Sequence, residues 1–256
     1  MCLILIAWRV HPAYPCVVAA NRDEFFARPS AAMRFWDDPS LLAGRDLRAG
    51  GTWMGLGRNG RFAALTNFRE PENQRPEAPS RGKLVSAFIA GDTSATEYWQ
   101  SSRADTYNGF NLICGNLGEE LWHFSNRGAE EGQRLAPGIY GLSNHLLDTP
   151  WPKVARGKSD LANSLQSLPA DAALFGLLRD ENIHDDAQLP RTGINLEWER
   201  LLSAAFVRST NYGTCSSTVL MLDRHDVVTV DEQSFLANAE MTTRNRFRFK
   251  LELSAV

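Results

Sequence analysis

The chain has little cysteine and no cysteine pattern. Its four thiols, Cys2, Cys16, Cys114 and Cys215, are scattered over 256 residues with no C-x-x-C pair and no Cys/His cluster. That spacing excludes a structural zinc site and a disulfide scaffold, and it fits a reducing compartment. Long apolar runs are also missing. LILIAW (3–8) is far short of the ~20 residues a bilayer-spanning helix needs. It also lacks the basic flank and cleavage site of a secretory leader. Nor does charge of one sign dominate. Lys and Arg number 27 against 30 Asp and Glu, so no global field draws the chain to nucleic acid or an anionic membrane. There is no internal repeat and no low-complexity tract. What is there is a composition 43% hydrophobic, enough to fill a sizeable core. The expectation is a soluble cytoplasmic protein folded as a single domain over residues 1–256.

Turn chemistry organises the rest. CLILIAWRV and CVVAAN read as strands joined through HPAYP, a hairpin over residues 2–21. Asn59-Gly60 between GTWMGLG and RFAALTNF marks a second hairpin. A helix is expected from Ser80 through RGKLVSAFIA with Gly91 as its stop, and Ser94 with Glu97 forms a capping box before another. FNLICGN and ELWHFSN pair around Gly118. Residues 152–167, 171–180 and 196–207 carry helical patterns, and TCSSTVLML, VVTV and RFRFKLEL return to strands. PENQRPEAPSRG (71–82) reads as a surface loop. Strand-rich ends around a helical middle predict an α+β fold with packed antiparallel sheets.

Several patterns are weaker than they look. GLGRNG (55–60) matches G-x-G-x-x-G, but an apolar strand follows the last glycine where a dinucleotide site needs a helix. None of the five histidines falls into a metal spacing, and no G-x-S-x-G elbow is present. RNRFRFKLEL alternates cations with apolar residues, as expected for a strand with one wet face.

The residue that carries chemistry is Cys2. If Met1 is removed, one residue presents both a thiol and an α-amine, and the amine's ordinary pKa of about 7.7–8 suits it to accept the thiol proton. One residue then supplies both nucleophile and base. ANRDEF (20–25) ends the second strand in a polar cluster, and the hairpin brings Asn21, Arg22 and Asp23 near Cys2. Asn67 in LTNF and Asn144 in GLSN each end a strand with a side-chain amide, a suitable oxyanion donor.

Together MC, ANRDEF, GTWMGL, ALTNF, GLSN and YGTCSST resemble the NRDE family, also called the transport and Golgi organisation protein 2 family. That family is similar in turn to the N-terminal-nucleophile hydrolases, especially cholylglycine hydrolase and penicillin V acylase. The resemblance implies a four-layer αββα sandwich of two antiparallel sheets. It implies Cys2 as nucleophile, Asp23 as the holder of its amine, and Asn67 and Asn144 as oxyanion groups. Asn21 matches the asparagine of the acylase Asn-x-Asp pattern and Arg208 an acylase arginine after a Phe-Val pair; with Arg22, which can stand in for a missing arginine, they are expected to bind substrate. Ala20 stands where the acylases carry an arginine, and Cys215 where the NRDE family commonly has one. Two functions are implied: an amidohydrolase or acylase cutting a linear amide, and a non-catalytic carrier of haem or an acyl lipid. The expected partner is accordingly a small amide, acyl or haem ligand. No metal and no resident cofactor are expected, haem entering only as a transported ligand.

Overall fold

The apolar run at the start and the CVVAAN segment form paired strands, β1 (Cys2–Trp8) and β2 (Cys16–Phe25). The computed structural model describes residues 2–37 and 41–252, so Met1 lies outside the described residues. In the first sheet β1 and β2 are joined by β10 (Gly138–Leu142), β11 (Tyr212–Leu222), β12 (Val227–Phe235) and β13 (Met241–Lys250), in the order β10-β1-β2-β11-β12-β13. The second sheet runs in sequence order. It holds β3 (Ser30–Phe35), β4 (Leu41–Asp46), β5 (Met54–Gly57), β6 (Arg61–Asn67), β7 (Phe110–Asn116), β8 (Glu120–Ser125) and β9 (Gln133–Arg134). The strand pairs within both sheets are antiparallel. The helices are α1 (Gly82–Ala90), α2 (Ala95–Ser101), α3 (Pro152–Ser164), α4 (Ala172–Leu178) and α5 (Leu196–Leu201).

Strand alternation sets the layers. Ile4, Ile6 and Trp8 of β1 meet Leu42, Phe62 and Ile113 of the other sheet in a core between the sheets. Leu3, Leu5 and Ala7 point the other way and pack beneath Val154 and Leu161 of α3 and Leu174 of α4. On the far side Ala63, Leu65 and Leu112 pack against Val85 and Phe88 of α1. Successive residues of one strand thus feed two separate cores. The result is the α+β, αββα layering that the sequence resemblance implied.

Local signals hold where they were specific. Gly60 has φ +84° at the β5–β6 turn, a conformation glycine adopts without strain. The Ser94–Glu97 capping box opens α2, and Gly91 closes α1. Ser80 does not cap α1, whose N-cap position is Arg81. β2 runs further than its apolar residues suggest, because Arg22 to Phe25 pair with β11. The helical pattern over 196–207 stops at Leu201. Beyond it the backbone finds other partners: Phe206 N–H donates to the Asp180 carbonyl, and Val207 N–H to Thr214 Oγ1. Among the described residues no helix is long and apolar enough to cross a membrane.

Candidate active site at the start of the first strand

Alternation divides the residues around Cys2 between two faces. Cys2 shares its face with Ile4 and Ile6, so its thiol points between the sheets. The register sets Cys2 beside Arg22, and Arg22 beside Ser216. At this end the sheets part and leave a cleft of about 1430 Å³, bordered by Cys2, Arg22 and Ser216 on one side and by Trp53 and Asn67 on the other. Cys2 is 8% exposed. Ser143 Oγ donates to its carbonyl at 3.0 Å and fixes the backbone beside the thiol. Burial pushes the Cys2 thiol above its ordinary pKa, while Arg22 pulls it back, so an unassisted thiol here keeps its proton.

Asp23 sits one step beyond Arg22 on β2, across from Thr214 of β11. By alternation its carboxyl belongs to the helix side, where Thr214 Oγ1 donates to Oδ1 at 2.7 Å. Burial raises the Asp23 pKa, opposed by Lys153, the Thr214 hydroxyl and Arg22. A bulge between Thr214 and Ser216 lets β11 supply Thr214 to that face and put Cys215 on the cleft. Glu24 returns to the cleft side, 3.7 Å from Arg22 and 3.9 Å from Arg28.

The other sequence-predicted residues fall in different places. Asn67 ends β6 at the cleft. Asn144 is fully buried beneath it and donates from Nδ2 to the Asn67 carbonyl at 2.9 Å. Asn21 is turned away from the cleft. Its Nδ2 donates to the carbonyls of Leu178 and Ala205, both at 2.8 Å, and its Oδ1 accepts from Ser217. Those bonds tie β2 to the end of α4 and leave the side chain no role facing a ligand in the cleft. Arg208 is exposed, 3.6 Å from Glu181, and does not border the cleft.

Two cations were not anticipated. Arg69, two residues past Asn67, is buried with Glu199, its Nη1 donating to Oε2 at 2.8 Å. Its backbone N–H donates to the Asn144 carbonyl, and its guanidinium lies 4.8 Å over the Trp151 ring. Arg69 therefore braces the turn that carries Asn144. Lys153 opens α3 from the inside, with its Nζ buried. Its one sequence signal is spacing: it stands four residues before Gly157 and eight before Leu161, on the buried stripe of α3. Among the described residues no group of three or more His, Cys, Asp or Glu could hold a metal.

The family profile described as Transport and Golgi organisation 2 matches residues 1–237. A Transport and Golgi organization protein 2 homolog from Bos taurus is 38% identical, over 98% of this chain and 100% of its own. The Mus musculus homolog is 36% identical with the same coverage. The Drosophila melanogaster protein is 27% identical over 94% of this chain and 92% of its own. Among solved structures, a C2A mutant of conjugated bile acid hydrolase from Clostridium perfringens aligns over 100% of this chain and 99% of its own. Its identity is 12% and its TM-score 0.43; the layering described above rests on the packing of this chain alone. By the extent of the profile match and the identity to the mammalian proteins, the chain belongs to the Transport and Golgi organisation 2 family.

Proposed function

We propose that the chain is an N-terminal cysteine amidohydrolase acting on a small linear amide. The observation that carries this reading is the position of Cys2: its thiol faces a cleft wide enough for a ligand, and a buried carboxylate, Asp23, stands one register step beyond its cross-strand partner. With Met1 removed, Asp23 orients the α-amine and the amine takes the proton of Sγ. Sγ attacks the amide carbonyl, forming a C–S bond. The negative oxygen is met by the Asn67 amide in the cleft, held from below by Asn144. The C–N bond breaks as the ammonium returns its proton to the leaving nitrogen. Water then hydrolyses the thioester to a carboxylic acid and restores the thiol. Arg22, beside Cys2, is placed to meet a negative group of the substrate.

The test is amine release from a panel of N-acyl amines and N-acyl amino acids, with Cys2→Ala as control. Turnover of at least one amide that Cys2→Ala abolishes supports the reading. Turnover equal in both proteins removes it.

A carrier of haem or an acyl chain is the second reading, favoured by the size of the cleft and by the thiol that burial holds protonated. Saturable one-to-one haem binding that survives Cys2→Ala would support it. Titration without a stoichiometric end point would not.

A further inference from the structure

Lys153 is 3% exposed in the first turn of α3, and its Nζ has no hydrogen-bond partner among the described residues. An ammonium buried in that state costs several kcal/mol, a cost that proteins seldom carry at a position without a role. Its place in the fold is specific. α3 lies against β1 so closely that a Cβ on Gly157 would come within 2.8 Å of Leu5 Cδ1. One helical turn back from Gly157 is Lys153. One step back from Leu5 on the same strand face is Leu3, whose cross-strand partner is Asn21, and Asp23 follows on that face.

The ionisable groups acting on Lys153 come from four directions: Asp23 of β2, Arg69 after β6, Cys2 of β1 and Glu199 of α5. Tyr212 of β11 adds a hydroxyl that donates to the Asp23 carbonyl at 3.2 Å. Burial lowers the Lys153 pKa to about 8, so it is still largely charged at neutral pH. Lys153 and Arg69 lie in this buried cluster with Asp23 and Glu199, and Arg22 stands beside Cys2. A protonated α-amine at Cys2 would add one more cation to it, so the positive charge of Lys153 favours the neutral amine.

We propose that Lys153 is a positioning residue for the Cys2 α-amine: by its charge, and by sharing Asp23, it holds that amine in the neutral form that accepts the thiol proton. This rests on the amidohydrolase reading, because the amine exists only once Met1 is gone. Thiol and amine titrate as a pair, so the quantity that reports the effect is the pair's first macroscopic midpoint.

The experiment is the pH profile of Cys2 alkylation by iodoacetamide on the full chain, located by peptide mass spectrometry, with Met1 removal checked by intact mass. Lys153→Met keeps the length and removes the charge. It should raise the midpoint by about one pH unit and slow alkylation at pH 7 about tenfold. Lys153→Arg should restore the parent midpoint, which a purely space-filling role would not require. Glu199→Gln removes an opposing charge and should move the midpoint down; it decides the matter if Lys153→Met does not fold. A Lys153→Met midpoint equal to the parent's, equal shifts in the Met and Arg variants, or a Glu199→Gln midpoint that stays or rises overturns the proposal. Retained Met1 overturns this proposal and the amidohydrolase reading together. Removed Met1 with an unmoved midpoint overturns only the role of Lys153.

Discussion

Glu232 offers a test of how dry the inner end of the cleft is. It lies on β12 and reaches across to the second sheet, where Met33 N–H of β3 donates to Oε1 at 2.6 Å. Thr218 Oγ1 donates to Oε2 at 3.5 Å. Burial raises its pKa from 4.5 to about 7. The folded value is above the unfolded one, so the protonated form favours folding. Stability is greatest below about pH 4.5 and falls as pH rises through about 7. A rise of this size corresponds to about 3 kcal/mol lost by pH 8, at roughly 1.4 kcal/mol per pH unit. Glu232→Gln keeps an acceptor for Met33 and a polar end for Thr218 but cannot ionise. The variant should therefore match the parent near pH 4.5 and exceed it at pH 8 by about 2–3 kcal/mol. Urea denaturation at the two pH values measures this. A gain of the same size at both pH values, or a loss at pH 8, would refute the reasoning and mean that the carboxylate is well solvated or firmly paired.

The neighbours Asp23 and Glu24 should behave differently despite equal charge, because strand alternation places them on opposite faces. Asp23→Asn should slow labelling of Cys2 by an electrophilic acyl probe roughly 10-fold or more, the usual weight of an acid–base group; Glu24→Gln, whose ion pairs with Arg22 and Arg28 are long at 3.7 and 3.9 Å, should change it less than about 3-fold. Equal effects in a side-by-side time course would contradict the assignment. Arg69→Met should lower unfolding free energy by about 3–5 kcal/mol, since it leaves the Glu199 carboxylate buried without its cation; a loss under about 1 kcal/mol by denaturant titration would show that the pair is not desolvated.

Much of the fold was legible because its turns carry their own chemistry. Asn59-Gly60, Ser94 with Glu97, and Gly91 act locally, and each bounds an element where expected. Elements held by distant partners were harder to read. The polar end of β2 is strand only because β11 lies along it. The site divides in the same way. Cys2 and Asn67 border one cleft, Asn144 bonds to the Asn67 carbonyl beneath it, and Asp23 follows Arg22 on β2. Asn21 was expected at the ligand, but the pleat turns it towards α4, where two carbonyls take its amide. Arg208 is carried out to the surface by the chain that follows α5. Lys153 and Arg69 could not be told from solvated cations, because a buried charge is identified by what surrounds it and not by its neighbours in sequence.

The central claim is that Cys2 is a free N-terminal nucleophile. Intact-mass measurement before and after exposure to an electrophilic acyl probe tests it most directly. The account predicts a starting mass that lacks Met1, addition of one acyl group at Cys2, and no addition to Cys2→Ala. A starting mass that retains Met1, or equal acylation of the parent and Cys2→Ala, would contradict it.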